Sequence, residues 1–417
     1  MKGDRISPLD RIADHFSSRL PSKVGVAVSG GSDSLALLVL MIRWAAPHGV
    51  KVRAVTVNHN IRPEAVQEAE HVEATCRGMR CPHDTIQWGG PLGAGNLLNQ
   101  AREARYALIA DWAASRKIHD VALGHTLNDQ AETFLMRLAR EAGVDGLSSM
   151  SGRWERNGCT FHRPLLKVAR GELRRLLVDH GLVWCDDPGN ANVAFERTRA
   201  RRVLEALEPL GITAGNLAAV SDKIGDVRRH LYAEVLDASI RMVKFEMGDA
   251  VVNMDDYRTL NREVARRLLQ NILKWIGGGE HAPRGRAVEA MLNAIENGVS
   301  MTLGGCYAMV DSNGVRFTRE ARAVSGKSSA PGEIWDGRWK IEGPWPDGAK
   351  VEMLGKRGLL ECGERGESGM PEASLLSSPA IWCKGELVAA PLALKSDVWR
   401  AQLTRDERIF FFSLLSH

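Results

Sequence analysis

The segment from Lys23 to Ala46 reads KVGVAVSGGSDSLALLVLMIRWAA, and it decides the fold of the first half of the chain. A β-branched run ends at Gly30 and Gly31, and a long apolar run begins at Leu35. These runs predict a buried strand followed by a helix. Adjacent glycines let the backbone approach a ligand, and the amides and dipole of a helix N-terminus attract an anion. The segment therefore predicts a phosphate-binding loop between a strand and a helix.

The same alternation of strands and helices continues downstream. Buried strands are predicted at residues 24–28, 52–57 and 121–123. Helices are predicted at residues 34–44, 63–77, 97–115, 129–140, 173–180 and 200–207. Alternation of this kind predicts a parallel sheet with helices on both faces, whose ligands bind beyond the carboxyl ends of the strands.

The chain has 417 residues, which predicts more than one domain. We predict a Rossmann-like α/β nucleotide-binding domain at residues 1–210, then a mainly helical domain at 211–322, and a small α/β or β-rich domain at 333–417. Residues 214–296 have a helical pattern and no strand runs, whereas short strand runs, glycines and tryptophans mark the C-terminal region.

Composition and cysteine content indicate a cytoplasmic protein. The N-terminal residues include no apolar signal segment, and the longest apolar run is far shorter than the roughly 20 residues that a membrane span requires. Seven cysteines, an odd number spread over a long chain, do not indicate a disulfide framework. We therefore expect a reducing compartment and no membrane partner.

Positive charge is concentrated in one segment. The net charge of the whole chain is +4, yet residues 153–202 contain eleven Arg or Lys against six Asp or Glu. This excess indicates a polyanionic partner such as nucleic acid. On charge alone, a solvated basic face explains it equally well.

Six motifs in this order carry a family resemblance. They are SGGSDS, VNHNIRPEAVQEAEHV, NQAREARYALIA, LGHTLNDQAETFLMRLAREAGVDGL, RPLLKVARGEL and WCDDPGNANVAFERTRARR. The first resembles the pyrophosphate-binding loop of the N-type ATP pyrophosphatases, or PP-loop family. The whole set resembles the tRNA(Ile)-lysidine synthetases and covers most of residues 24–204.

The resemblance implies an ATP-dependent ligase. Members of that family adenylate the wobble cytidine of tRNA(Ile) with a CAU anticodon, and the ε-amine of free L-lysine then displaces AMP. The lysidine so formed reads AUA instead of AUG. ATP and Mg²⁺ are the implied cofactors, because charge develops at the phosphate during adenylation. The oligomeric state stays open, with a homodimer as one option.

The resemblance also implies site residues. ATP binding is expected at Ser29, Gly30, Gly31, Ser32, Asp33, Ser34, Asn58 and His59. Catalytic roles are expected for Asp33, His125 and Asp129, and Asp33 is also the expected Mg²⁺ ligand. tRNA binding is expected at Arg197, Arg199, Arg201 and Arg202, through phosphate contact with the tRNA or with ATP, because guanidinium binds phosphate bidentately. A solvated helix face explains any single one of these arginines about equally well. Glu132 fits either the site or a helix surface.

Several positions depart from the family pattern. Thr126 replaces a histidine, Asn128 stands where an acid is common, and Glu141 stands where a glycine is expected. If Glu141 lies near phosphate, Arg137 or Arg140 is the expected compensating cation. These departures keep open a tRNA-binding homologue that has weakened or lost catalysis. Another tRNA-modifying ATP pyrophosphatase, a thiolase, is disfavoured because the chain contains no Cys-x-x-Cys.

Overall fold

The structure is a computed structural model, and it describes residues 6–58, 64–90, 97–185, 195–279, 282–283, 285–312, 314–363 and 368–415. The chain forms two compact units, residues 1–228 and 229–417.

A six-stranded sheet forms the centre of the first unit. Its strands are β1 Lys23–Ala27, β2 Lys51–Asn58, β3 His83–Gln87, β4 Asp120–Leu123, β5 Arg153–Arg156 and β6 Cys159–His162. The order is β3-β2-β1-β4-β6-β5, and all neighbours are parallel except β5 and β6. The three predicted strands and the parallel sheet are confirmed, while β3, β5 and β6 were not predicted.

Helices cover both faces of this sheet. The helices that begin in this unit are α1 Pro8–Phe16, α2 Ser32–His48, α3 Glu64–Gly78, α4 Leu97–Ser115, α5 Leu127–Leu138, α6 Val144–Leu147, α7 Arg170–Asp179, α8 Glu196–Leu207 and α9 Ala214–Met242, of which α9 continues into the second unit. Every predicted helix is present, with ends displaced by a few residues. One apolar core joins α1, α2 and α7 to one sheet face, and a second joins α4 to the other face.

The second unit contains three antiparallel sheets. Its strands are β7 Val243–Glu246, β8 Asp249–Asn253, β9 Met301–Leu303, β10 Cys306–Val310, β11 Gly314–Arg319, β12 Trp339–Glu342, β13 Ala349–Met353, β14 Pro379–Cys383, β15 Glu386–Ala389 and β16 Arg400–Leu403. The sheet orders are β7-β8-β11-β10-β9, β12-β16 and β13-β14-β15. The strands β7 and β8 lie inside the segment predicted to have no strands, so that prediction is wrong. The alternation of apolar and polar residues in Val243–Glu246 and the tight turn at Met247 and Gly248 are the signals that were missed.

The helices of the second unit are α10 Met254–Arg258, α11 Arg262–Gly277, α12 Arg286–Glu296, α13 Ala321–Val324, α14 Gly355–Glu361, α15 Glu372–Leu376 and α16 Glu407–Leu415. The amphipathic α11 and α12 bury their apolar faces against the five-stranded sheet in a single core. The C-terminal sheets have a separate core that contains Trp335, Trp339 and Trp399. The predicted α/β architecture with a β-rich C-terminal region is confirmed.

Within the described ranges, no single helix combines the length and apolarity of a membrane span. One bent pair, Glu196–Leu210 with Ala214–Met242, meets the same criterion by length and composition only.

Candidate active site

The loop between β1 and α2 is built to hold an anion. Gly30 has φ +86°, a backbone conformation that favours glycine, and Gly31 precedes the helix without providing a side-chain cap. The first amides of a helix lack acceptors inside the helix. The N–H groups of Ser32, Asp33 and Ser34 can therefore donate to a ligand, and the helix dipole favours a negative one.

The hydroxyl of Ser34 holds this loop in shape. Its Oγ accepts a hydrogen bond from the Ser29 amide at 3.1 Å and donates to the Gly31 carbonyl at 3.0 Å. Ser34 is buried, and both bonds lie within the loop itself. The side chain of Ser34 therefore positions the loop, because its hydroxyl proton is engaged by the Gly31 carbonyl.

Close packing brings the end of β4 against the start of α2. A Cβ atom at Gly124 would lie 3.0 Å from both the nitrogen and the Cα of Ser34. Such contacts are too short for a side chain, so glycine at this position allows the strand to reach the phosphate loop. His125, the next residue, is thereby placed beside the loop.

Arg170 joins three carboxylates from two helices. Its Nε lies 2.8 Å from Asp33 Oδ2, and its terminal nitrogens lie 3.2 Å from Glu132 Oε1 and 3.5 Å from Asp129 Oδ1. Arg201 Nε also donates to Glu132 Oε1, at 2.7 Å. Glu132 is 1% exposed, and its Oε2 contacts no partner among the described residues. Glu132 is therefore a buried member of the site, and its reading as a helix-surface charge is wrong.

Asp129 is fixed by the first turn of α5. Its Oδ2 accepts hydrogen bonds from the amide and the hydroxyl of Thr126, at 2.8 and 2.9 Å. Burial raises the pKa of Asp129, but the positive charges of Arg170 and Arg197 outweigh burial and hold this pKa below its usual value. Asp129 is therefore ionised at neutral pH.

His125 is a neutral side chain in the free protein. Burial, together with the charges of Arg163 and Arg105, lowers its pKa to about 3. Its Nδ1 is buried and has no partner among the described residues. An unpaired ring nitrogen beside a phosphate loop can hydrogen-bond to a ligand, and a bound polyphosphate would raise this pKa.

These groups surround a cavity of about 620 Å³. Its lining includes the loop residues, His125, two aspartates and five arginines, namely Arg105, Arg170, Arg174, Arg197 and Arg201. The excess of guanidinium groups over carboxylates favours a polyanionic ligand with several phosphates. The volume is within the range of small-molecule sites.

Two comparisons with known sequences bear on this cavity. A sequence profile of the PP-loop domain matches residues 7–207. A tRNA(Ile)-lysidine synthase of Ruegeria pomeroyi is 41% identical over 409 residues, which cover 98% of each chain. This chain belongs to the tRNA(Ile)-lysidine synthase family.

Other lysidine synthases show the same relationship. The protein of Hyphomonas neptunium is 38% identical over 69% of this chain and 78% of its own length. That of Brucella suis is 34% identical over 93% of this chain and 89% of its own length. The resemblance inferred from the motifs is confirmed.

In this member of the lysidine synthase family, most of the residues that were predicted to bind the nucleotide or to act in catalysis lie together. Ser29, Gly31, Asp33, His125 and Asp129 all line the cavity, as do Ser32 and Ser34. Asn58 is buried at the end of β2 and is not among the lining residues. His59 lies outside the described residues.

The four predicted tRNA-binding arginines lie on two faces of α8. Arg197 and Arg201 line the cavity, whereas Arg199 and Arg202 are exposed to solvent. Residues four apart share a face of a helix, which explains the division. The four arginines therefore form two pairs, one that faces the cavity and one that faces solvent.

The family departures at Thr126 and Asn128 have structural explanations. The Thr126 hydroxyl caps α5, and Asn128 Oδ1 accepts a hydrogen bond from the Arg170 amide at 2.9 Å. Both side chains thus help to position groups of the cavity. Neither substitution dismantles the site.

Glu141 departs from the family pattern at a position that needs special backbone geometry. It has φ +55° directly after α5, where helices commonly end in glycine. The Glu141 side chain is exposed and does not line the cavity. Arg137 donates to the carbonyls of Gly146 and Ser148, and Arg140 pairs with Glu196. Neither arginine is the counter-charge that the sequence led us to expect.

Among the arginine and cysteine residues that line the cavity, four received no role from the sequence, namely Arg105, Arg170, Arg174 and Cys185. Arg105 and Arg170 lie in motifs that carried the family resemblance, so the motifs contained a usable signal. Arg174 follows Arg170 at one helical turn and donates to Ser32 Oγ at 3.5 Å. Cys185 contacts the loop through its amide, which donates to the Gly30 carbonyl at 3.0 Å.

The residues fit a Mg²⁺ ion that is held mainly by a nucleotide. Among the described residues, no three His, Cys, Asp or Glu side chains form a group suited to a metal. Mg²⁺ commonly takes one or two protein carboxylates and completes its shell with phosphate oxygens and water. Asp33 is the acid of the phosphate loop, and its carboxylate borders the cavity. Asp33 is thus the side chain that fits this mode of binding.

Proposed function

We propose that this protein uses ATP to ligate L-lysine to the wobble cytidine of tRNA(Ile) with a CAU anticodon, forming lysidine. The observation that carries this proposal is a phosphate loop at the start of α2 that opens into an arginine-rich cavity. Similarity to lysidine synthases over nearly the whole chain supports the same function.

The reaction consists of two substitutions. In the first, the O2 atom of the cytidine attacks the α-phosphorus of ATP, the bond to the bridging oxygen of the β-phosphate breaks, and pyrophosphate leaves. In the second, the ε-amine of lysine attacks C2 of the cytidine, the C2–O bond to AMP breaks, and the amine loses a proton. Adenylation makes the C2 oxygen a good leaving group, so no protein nucleophile is needed.

The cavity residues act by positioning and by charge. We propose that the amides of Ser32, Asp33 and Ser34 bind the pyrophosphate portion of ATP. Arg197 and Arg201 face the same space and neutralise charge that develops on the phosphates. His125 contributes a hydrogen bond as a neutral imidazole.

Mg²⁺ and the tRNA complete the proposed assignment. Mg²⁺ held at Asp33 with the ATP phosphates would withdraw charge from the α-phosphate. The exposed Arg199 and Arg202, with the domains proposed at residues 211–322 and 333–417, would contact tRNA. The oligomeric state stays open, with a homodimer as one option.

We propose a cytoplasmic location. All seven cysteines are free thiols, as is usual in a reducing compartment.

Two alternatives are less well supported. A homologue without catalysis would not need Thr126 and Asn128 to preserve the positions of Asp129 and Arg170. A thiolase that depends on paired cysteines is disfavoured by the absence of Cys-x-x-Cys.

Incorporation of labelled lysine tests the function directly. The purified protein is incubated with ATP, Mg²⁺, labelled L-lysine and a transcript of tRNA(Ile) with a CAU anticodon. We expect one lysine per tRNA and equal amounts of AMP and pyrophosphate. A transcript with uridine at the wobble position serves as the control and should gain no label. Pyrophosphate release without incorporation of lysine into the cognate transcript would refute the proposal.

A further inference from the structure

Five arginines of the first unit gather without any acidic partner. We call this set the arginine track: Arg102 and Arg105 of α4, Arg137 of α5, Arg163 before α7, and Arg228 of α9. Within the described part of the chain, none of the five has a carboxylate at ion-pairing distance. Arg102 is exposed, Arg163 is buried, and the other three are half-buried.

Two aromatic rings organise one end of the track. The guanidinium carbon of Arg163 lies 3.8 Å from the ring centroid of Trp154, and that of Arg102 lies 5.8 Å from the centroid of Tyr106. The Trp154 and Tyr106 rings contact each other edge to face, with centroids 6.0 Å apart. Arginines on both sides of one aromatic pair are therefore held near each other.

The remaining members are near enough to affect one another. Burial lowers the pKa of Arg137, and the charges of Arg228 and Arg102 lower it further. Burial also lowers the pKa of Arg163, although Tyr106 partly opposes this effect. Like charges in a partly buried cluster are costly unless an anion compensates them.

Several donors in the track are unused. The Nε atoms of Arg163 and Arg228 are buried and have no partner among the described residues. The bonds that the track does make run to uncharged groups, for example from Arg163 to the Ser151 carbonyl at 2.8 Å and to the side chain of Tyr106. Carbonyl contacts fix the side chains without neutralising their charge, so the track keeps its capacity for an anion.

The track begins at the ATP cavity. Arg105 belongs to both, since it lines the cavity beside Arg197 and its pKa is lowered by burial and by the charges of Arg102 and Arg197. The other track members do not line the cavity. Positive charge thus continues from the nucleotide cavity onto α4, α5 and α9, farther than a single ATP requires.

We propose that the arginine track binds the backbone phosphates of tRNA next to the cytidine that is modified. A chain of phosphodiesters matches a series of guanidinium groups spread over four segments of the protein, and phosphate contacts orient nucleic acid for base chemistry. This inference rests on the proposed function, because it takes tRNA as the polyanion. It adds a set of residues outside the nucleotide cavity.

The double variant Arg102→Gln/Arg228→Gln tests the track. Neither residue lines the ATP cavity, and neither has a carboxylate partner, so the fold should persist. We expect the affinity for the cognate tRNA transcript to fall about tenfold near physiological salt. The slope of log affinity against log salt should become shallower by about 1.4, or roughly 0.7 for each lost phosphate contact. Fluorescence anisotropy over a series of salt concentrations measures both quantities.

A matched control removes two positive charges elsewhere. Lys51 and Lys117 are both exposed. Lys51 is the first residue of β2, and Lys117 lies shortly before β4. The Lys51→Gln/Lys117→Gln variant should keep the wild-type affinity and slope. The single variant Arg102→Lys, which keeps the charge, should retain most of the slope. Thermal unfolding checks that each variant is folded.

The outcomes separate this proposal from the proposed function. A track variant that is folded, yet has the affinity and salt slope of the lysine control, would overturn the track. Wild-type protein that does not bind the tRNA would overturn it too. Wild-type protein that binds tRNA with the predicted salt response, but incorporates no lysine, would leave the track standing and refute the ligase activity.

Discussion

Two sets of arginines, one in each unit, differ in how their charge is compensated. In the second unit, Arg316 pairs with Glu246 and Asp249, and Arg319 pairs with Asp336. In the first unit, the arginine track has no carboxylate partner among the described residues. Burial therefore does not distinguish the two sets of arginines. They differ in whether a carboxylate pairs with the guanidinium group.

The direction of the pKa shift reflects the same difference. Burial lowers the pKa of Arg316, but Glu246 and Asp249 outweigh burial and raise it overall. Burial and neighbouring arginines together lower the pKa of Arg137. Paired arginines hold a fold together, whereas unpaired ones are available to a ligand. Arg170 is intermediate, because it is fully paired and yet lines the cavity.

The largest effect should come from Arg170→Leu. This change leaves Asp33, Asp129 and Glu132 close together with Arg201 as the main remaining cation. We expect lysine incorporation to fall at least 10³-fold, about 4 kcal/mol of transition-state stabilisation, because the phosphate loop would then face uncompensated carboxylates.

Arg175→Leu is the matched control for Arg170. Arg175 is exposed on the same helix and donates only to the Gly171 carbonyl of its own helix. Its variant should keep activity within about twofold. Equal losses in both variants would show that α7 tolerates no change, and would remove Arg170 from the site.

The second prediction concerns a paired arginine of the other unit. Asp336→Asn keeps the shape of the side chain but leaves the largely buried Arg319 without its anion. We expect the free energy of unfolding of the second unit to fall by about 3 kcal/mol. Asparagine also tolerates the φ of +51° found here, so the backbone should not change.

Urea unfolding and ATP binding together check this second prediction. The affinity for ATP should stay at the wild-type value, because Asp336 is not part of the nucleotide cavity. Loss of ATP affinity without loss of stability would contradict the contrast between paired and unpaired arginines.

Acid should weaken the first unit by a smaller amount. Burial lowers the pKa of His15 to about 4 and that of His125 to about 3, below the ordinary value of 6.5. Between the lowered pKa of each histidine and 6.5, the unfolded chain binds protons that the folded chain does not. The free energy of unfolding therefore has its full value above pH 6.5 and falls as the pH drops below 6.5. At pH 5 the loss should be about 1–2 kcal/mol for each histidine.

Hydrogen exchange at pH 7 and pH 5, corrected for intrinsic rates, measures this loss by region. Carboxylates with lowered pKa values, such as Asp84 at about 2, titrate below pH 5 and do not contribute. The His15→Gln variant should lose about half of the acid sensitivity. Unchanged protection of the first unit at pH 5 would show that these histidines take up protons in the folded state as readily as in the unfolded chain.

The smallest effect should come from Glu141→Gly, which changes backbone strain without touching the arginine track. Glycine adopts a φ of +55° at no steric cost, so the free energy of unfolding should rise by about 0.5–1 kcal/mol. The neighbouring Ala142 does not have a positive φ, and Ala142→Gly should lower stability instead. Equal changes in the two variants, measured by urea unfolding, would argue against strain at Glu141.

Local sequence patterns predicted the phosphate loop and its surroundings well. A β-branched run, two glycines and an apolar run suffice to specify a strand, a loop and a helix, because each depends on neighbouring residues only. Helical spacing could also have predicted that the α8 arginines lie on two faces of the helix, since residues 197 and 201 are one turn apart. This separation was not predicted from the sequence.

Other parts of the site depend on contacts that no local pattern records. Arg170 contacts Asp33 across 137 positions of the chain, and the burial of Glu132 follows from the approach of Arg170 and Arg201. The hairpin of β7 and β8 was missed for a different reason. It is a short pair of strands between long helices, and helical periodicity dominated the segment.

The long-range pairs made by Arg170 and Arg201 also govern when the site can form during synthesis. Asp33 and Glu132 leave the ribosome well before their partners, which lie 137 and 69 residues later. Contacts so distant along the chain form slowly, because long loops must close first. A nascent chain that ends before α7 therefore lacks Arg170, the partner of Asp33, and one that ends before α8 still lacks Arg201, the second partner of Glu132. The capacity to bind ATP is acquired only once the first unit has been translated almost in full.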